Sequence, residues 1–348
     1  MIIQANPKTI VLARESRGFT QKELAGELKI DQGHLSKVEN SLVGVSDELM
    51  EKLSNVLKYP NSFFCEIFRV YAPGLPFYRK HKTLSHRDLS IITATSNIRR
   101  NHVEKLLRSV ETINTLIPDL YLSDMESPED IARAVRQYWR LPPGPVPDMT
   151  KAMEDAGVIV FDCQFNTRFF SGMSLPTEEV NYIVFVNGGM PGDRMRYTLA
   201  HELGHILMHQ IPTSNMEEEA DRFASELLMP SFEIRSQLYK VTLDRLATLK
   251  RYWKVSMSSI LRQARRLNRI TEHKYRSLWM EMGKAGYRLH EPDELDIPRE
   301  KPSLISEFID VHLTKLGYSR EELSKFLGLC IDEFSTLYIK HRNYLKIV

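Results

Sequence analysis

The segment RMRYTLAHELGHILMHQ, residues 194–210, holds His201 and His205 four positions apart, with Glu202 between them. Four residues make about one helical turn, so both imidazoles project from one face and can reach a single ion. Glu202 is angled to hold a water at that ion without coordinating the ion itself. The set needs a third ligand, and NMEEEADRFASELLMP at 215–230 offers three consecutive carboxylates. The buried stripe of that helix is expected to be Met216, Ala220, Phe223, Ala224, Leu227 and Leu228. Glu218 shares a face with Arg222 and Ser225 and turns to solvent. Glu217 stacks above Ala220, Ala224 and Leu228, and Glu219 above Phe223, so both stand open as the ligand. Asp221 lies one turn beyond Glu217, where it can brace a ligating histidine from behind. His209 continues the histidine row, but eight residues are about 12 Å of helix rise, too far to share the ion of His201. It reads as structural. The expected chemistry is hydrolysis assisted by zinc.

The elements around these residues must place them. MTKAMEDAGVIVFDCQF reads as helix, glycine turn at Gly157, and strand over 158–161. NYIVFVNGGMPGDRMR gives a second strand over 182–186 and a glycine turn before the HELGH helix. A small sheet preceding that helix is an α+β arrangement. The YIVFV strand reads equally as an edge that receives substrate as an added strand and as a buried core strand. Arg196, Tyr197 and Tyr239 are candidate donors to an oxyanion.

At the N-terminus, Thr20 and Glu23 form a capping box that starts a helix with Leu24, Ala25 and Leu28 inward. A second short helix turns Leu35 and Val38 inward. A helix over 10–17 precedes the pair, and Ser46 caps another, DELMEKLSNVL, making a compact all-α bundle. Its sequence TQKELAGELKIDQGHLSKVEN resembles the lambda-repressor-like, Xre-type helix-turn-helix family over residues 7–60. That resemblance implies a second helix in the major groove, with Gln32, His34, Ser36 and Lys37 facing bases or phosphates and Gln21 a phosphate. Residues 1–60 carry eight Lys/Arg and eight Asp/Glu, so one copy gains little from counterion release and a homodimer is expected on operator DNA.

The motifs RYTLAHELGHILMH and EEEADRFASELLMP, in that order, closely resemble the ImmA/IrrE family of zinc metallopeptidases over residues 145–265. The E-x-x-x-D spacing after HExxH resembles zinc peptidases with a glutamate third ligand, which favours Glu217 over Glu219. The resemblance implies that His201, His205 and Glu217 hold zinc, that Glu202 is the general base, and that Asp221 supports a histidine. Members are bacterial and phage regulators of stress response and mobile elements. They cleave a repressor or antitoxin-like partner, and several carry their own helix-turn-helix. Two other readings stand beside this one: a regulator whose zincin-like domain senses a metal or ligand without proteolysis, and the antitoxin half of a toxin–antitoxin pair.

Between and beyond these modules, Pro73, Gly74 and Pro76 mark a linker. Eight basic residues follow (79, 80, 82, 87, 99, 100, 105 and 108) against Asp88 and Glu104, open as a flank for phosphates or as a solvated face. Residues 89–118 read as one long helix, and Ser127 caps another that Pro142 and Pro143 stop. LKRYWKVSMSSILRQARRLNRI reads as basic helix packing on the peptidase, and LHEPDELDIPREKP as an acidic linker. GYSREELSKFLGLCIDEF repeats the first helix-turn-helix with an offset of 299, but Asp332 and Glu333 on its second helix would repel phosphate.

The expected division is 1–72 helix-turn-helix, 73–144 basic linker and helical connector, 145–280 metallopeptidase, and 281–348 C-terminal helical domain. The 348 residues carry a net charge of +2, which names no partner. Cys65, Cys163 and Cys330 are too few for a disulfide framework and fit a reducing cytoplasm. No signal-like segment or membrane-length apolar run is present, so no membrane partner is expected.

Overall fold

The computed structural model describes residues 5–67, 69–71, 84–110, 115–118, 127–178, 182–209 and 213–339. The described residues are mostly α-helical with one small sheet, and the chain divides into two units: Met1–Thr112 with Thr177–Glu179 and Leu304–Val348, and Ile113–Pro176 with Val180–Ser303. This division does not follow the boundaries at 72, 144 and 280. Described residues of the connector fall on both sides, and 281–303 stay with the second unit while 304–339 join the first. The linker prolines at 73 and 76, with Arg79, Lys80 and Lys82, lie outside the described residues.

In the first unit, α1 (Pro7–Ser16), α2 (Gln21–Leu28), α3 (Gln32–Glu39) and α4 (Asp47–Leu57) form the N-terminal bundle. The capping box forms: the Thr20 amide donates to Glu23 Oε2 at 2.7 Å, and the Glu23 amide donates to Thr20 Oγ1 at 3.2 Å. Lys29 is left-handed at φ 55°, and the Asp31 side chain caps α3, so the chain turns sharply between the two helices. Leu24, Leu28, Leu35 and Val38 are buried as their spacing requires.

The expected long helix spans His86–Leu107 rather than 89–118; Ser85 caps its start by accepting from the Asp88 amide. Its basic residues do not form one solvated face. Arg100 is fully buried, pairs with Glu104, donates to the Arg69 carbonyl at 2.8 Å and lies 3.9 Å over the Tyr71 ring. Lys105 is held by Glu66 at 2.6 Å and the Phe326 carbonyl at 2.7 Å. A guanidinium this deep must be paired inside, which removes it from any phosphate.

The C-terminal repeat is helical, with its own Ser319–Glu322 capping box and a left-handed Gly328 at φ 70°. Its second helix, Ile331–Phe334, packs within this unit, where Glu333 clamps Arg17 at 2.6 Å.

The second unit holds β1 (Ile159–Cys163), β2 (Gly172–Pro176) and β3 (Tyr182–Asn187) in the order β1-β3-β2. β3 runs parallel to β1 and antiparallel to β2. The YIVFV strand is therefore central, paired on both sides, and its apolar run reflects burial; the edge reading does not hold. The helix Gly192–Met208, which carries HELGH, packs on β2 and β3, and the acidic helix Met216–Leu228 packs along it.

Residues 291–303, which take in most of the segment 289–302 expected as a linker, form a strap on this unit. Glu291 accepts from Lys250 at 2.8 Å and from the amides of Met257 and Ser258. Arg299 binds the Gly188 carbonyl and Asp162, and Glu300 binds Arg196 with the amides of Met149 and Thr150. Gly192 lies beneath Ile297 and Pro298, whose carbonyls leave no room for a Cβ. Proline and acid composition suggested a linker because the cations that answer those acids lie far away in sequence.

Candidate functional site

The HELGH helix puts His201 and His205 on one face, with their Nε2 atoms 3.1 Å apart. The acidic helix comes close because HELGH has a glycine: a Cβ on Gly204 would lie 3.3 Å from Ala220 Cα and 3.1 Å from the Phe223 ring. That closeness brings the Glu217 carboxylate to both rings, Oε2 at 3.5 Å from His201 Nε2 and Oε1 at 3.3 Å from His205 Nε2. One donor atom each from His201, His205 and Glu217 lies within 4.8 Å of the others.

Asp221, one turn on, reaches the far side of the first ring, with Oδ1 3.0 Å from His201 Nδ1. A carboxylate only accepts, so His201 donates from Nδ1, and in the neutral ring its Nε2 carries a lone pair. That lone pair faces a carboxylate, which also accepts. Two acceptors turned toward one another with no hydrogen between them suit a cation, and imidazole nitrogen with carboxylate oxygen is a donor set that zinc takes.

Glu202 is 95 % buried on the same helix. β2 runs beside it: a Cβ on Gly172 would meet Thr198 Cγ2 at 2.6 Å and Glu202 Cγ at 3.6 Å. Only a glycine lets the strand lie this close.

The other expected residues are placed as follows. Glu219, the alternative third ligand, points instead to His209, with Oε2 2.9 Å from Nε2. His209, read as structural from its rise along the helix, has its Nδ1 3.0 Å from His205 Nδ1. Burial lowers the His209 pKa, against the raising effect of its bond to Glu219. The i+4 step from His205 to His209 was the available signal for this contact.

Arg196 and Tyr197 are not free to meet an oxyanion. Arg196 is buried on Glu300 and the Val146 carbonyl, and burial lowers its pKa to about 10. The Tyr197 hydroxyl binds the Asp221 carbonyl at 3.1 Å and Ser225 at 3.2 Å, and burial foremost, then Asp221, raises its pKa to about 12. Tyr239 is exposed and stacks under Arg245 at 4.7 Å.

On α3, Gln32, His34 and Lys37 are exposed. Ser36 is half-buried, with its carbonyl accepting from Asn40 at 2.8 Å. Gln21 is half-buried and donates to Glu39 Oε2 at 2.8 Å, and Glu39 also holds Arg14 at 2.7 Å. Its amide is thus fixed within the bundle.

Residues 10–60 match the helix-turn-helix family model, and residues 153–265 match the model of the IrrE N-terminal-like domain in peptidase family M78. No curated protein matches the chain. No helix among the described residues is long and apolar enough to cross a membrane.

Proposed function

We propose that this chain, which joins an Xre-type helix-turn-helix to an ImmA/IrrE-type domain, is a DNA-associated, zinc-dependent endopeptidase of the cytoplasm. It cleaves a regulatory protein, such as a repressor or antitoxin-like partner. The observation that carries this reading is the meeting of Glu217 with His201 and His205 on a helix that also carries the buried Glu202. A domain that only sensed metal would need the three ligands and would have no use for a base next to them.

His201, His205 and Glu217 would hold the zinc, and Asp221 would orient His201. A zinc ion in such a site supplies Lewis acidity, polarising a carbonyl and making a water easier to deprotonate. Glu202 takes a proton from the attacking water as its oxygen bonds to the peptide carbonyl carbon. It then delivers that proton to the departing amide nitrogen as the C–N bond breaks. The scissile bond passes along β2, the strand that Gly172 lets lie close to Glu202.

The helix-turn-helix brings this activity to an operator. Gln32, His34 and Lys37 face DNA from α3, with Ser36 beside them, while the Gln21 side chain is held on Glu39 inside the bundle. The balanced charge of residues 1–60 makes a dimer the binding form.

The test is incubation of the zinc-loaded chain with an Xre-type repressor that binds the same operator, followed by mapping of new N-termini. Cleavage by wild type and none by Glu202→Gln supports the reading. Intact repressor with both proteins counts against it.

A further inference from the structure

We propose that His209 and Glu219 are positioning residues that lock the proton of His205 on Nδ1 and thereby aim its Nε2 lone pair at the metal. This rests on the metal centre proposed above and adds two residues to it.

Glu219 Oε2 lies 2.9 Å from His209 Nε2, and a carboxylate can only accept. His209 therefore carries a proton on Nε2 and, as a neutral ring, a lone pair on Nδ1. That lone pair lies 3.0 Å from His205 Nδ1. His205 must supply the hydrogen of this bond, and as a neutral ring it then carries a lone pair on Nε2, 3.3 Å from Glu217 and 3.1 Å from His201 Nε2. The carboxylate charge thus acts on His205 through an intervening imidazole.

The backbone supports the relay. His209 is the C-cap of the HELGH helix, at φ −120° and ψ 58°, and its amide still donates to the His205 carbonyl at 3.0 Å. The cap residue stays hooked to the last turn while its ring swings back under His205. The two rings have centroids 5.0 Å apart at 57°. The His209 side chain is 99 % buried, so water is a poor substitute for either bond. With both ring nitrogens engaged, His209 is neither a fourth ligand nor a proton donor to substrate.

The acidic helix consequently serves three imidazoles with alternate carboxylates. Asp221 takes His201, Glu219 takes His209, and Glu217 faces the two Nε2 atoms. The first ligand receives its carboxylate directly and the second through His209. Outer partners of this kind are worth about 10- to 100-fold in metal affinity.

The experiment uses the full chain and zinc, with two readouts that do not involve proteolysis. Competition with a chromophoric chelator gives the zinc dissociation constant. Nitrogen–proton correlation spectra of the histidine rings give the tautomers in the metal-free protein. In wild type, His205 is expected as the Nδ1–H tautomer. His209→Leu and Glu219→Leu should weaken zinc about 10- to 100-fold with unchanged far-ultraviolet dichroism. His209→Asn, which keeps an acceptor near the place of Nδ1, should recover most of the loss. A wild-type His205 protonated on Nε2, or wild-type zinc affinity in His209→Leu, overturns the proposal. A different result strikes the centre itself: wild type taking up no stoichiometric zinc, or His201→Ala binding zinc unchanged.

Discussion

Gly204 and Ala220 touch backbone to backbone: a Cβ placed on Gly204 would sit 3.3 Å from Ala220 Cα. This contact sets the separation of the HELGH and acidic helices, and with it the reach of Glu217 to His201 and His205. Gly204→Val forces those helices apart against a packed core. The expected cost is about 1–3 kcal/mol of stability and at least tenfold in zinc affinity. Chemical denaturation and chelator competition on the same preparation check both. Wild-type zinc affinity in a destabilised variant would show that Glu217 reaches the site without this contact.

Asp221→Ala removes the partner of His201 Nδ1 and frees that ring to carry its proton on either nitrogen. Zinc affinity is expected to fall about 10- to 100-fold, while the fold survives because the Tyr197 hydroxyl keeps Ser225 and the residue-221 carbonyl. Isothermal titration with zinc, alongside thermal unfolding of the metal-free protein, separates the two effects.

On α3, the exposed side chains should divide by role. Gln32→Ala is expected to cost about 1–3 kcal/mol at the operator and little elsewhere. Lys37→Ala should weaken all DNA evenly and reduce the salt slope by about 1. Affinity measured across a salt series on operator and scrambled duplexes distinguishes them. An equal loss on both duplexes for Gln32→Ala would remove it from base readout.

What was legible in the sequence was local. Thr20 with Glu23, and Ser319 with Glu322, announced helix starts because capping needs only four residues. HELGH announced two imidazoles on one face for the same reason. The choice between Glu217 and Glu219 was not legible from the helix alone, since both border the apolar stripe. In space it turns on His209, which occupies Glu219. The centrality of β3 was hidden because β2, Gly172–Pro176, is only five residues long, opens on a glycine and ends on a proline, both residues that argue against a strand. Arg100 and the 291–303 strap were misjudged together: their charges looked solvated because the counter-charges or carbonyls that bury them come from elsewhere in the fold.

In the first unit, His102 is fully buried, with Nδ1 2.8 Å from the Tyr338 hydroxyl. Burial foremost, then Arg99 and Lys105, holds its pKa well below the ordinary value. The unfolded chain takes up this proton first as pH falls, near pH 6.5. The stability due to a neutral His102 is thus fully present above about pH 6.5 and is lost toward the folded pKa, at about 1.4 kcal/mol per pH unit. His102→Gln lacks this term. Between pH 7.5 and 5.5 the wild-type unfolding midpoint should drop more steeply than that of the variant, and parallel curves would assign the acid sensitivity to other groups.

The strap holds the HELGH helix through a buried charge. Arg196 is 99 % buried at the head of the HELGH helix, and Glu300 is the carboxylate that answers it. Glu300 also satisfies the amides of Met149 and Thr150. Glu300→Ala takes the paired carboxylate from a buried guanidinium and leaves it only the charge of Asp148, a loss expected to cost about 3–5 kcal/mol. Replacing both partners, as Arg196→Met with Glu300→Leu, removes the stranded charge and should recover a good part of that loss. Denaturant midpoints of the single and double variants decide it. A double variant as unstable as Glu300→Ala would mean that the amide contacts of Glu300, rather than its charge, hold the strap against the helix that carries His201 and His205.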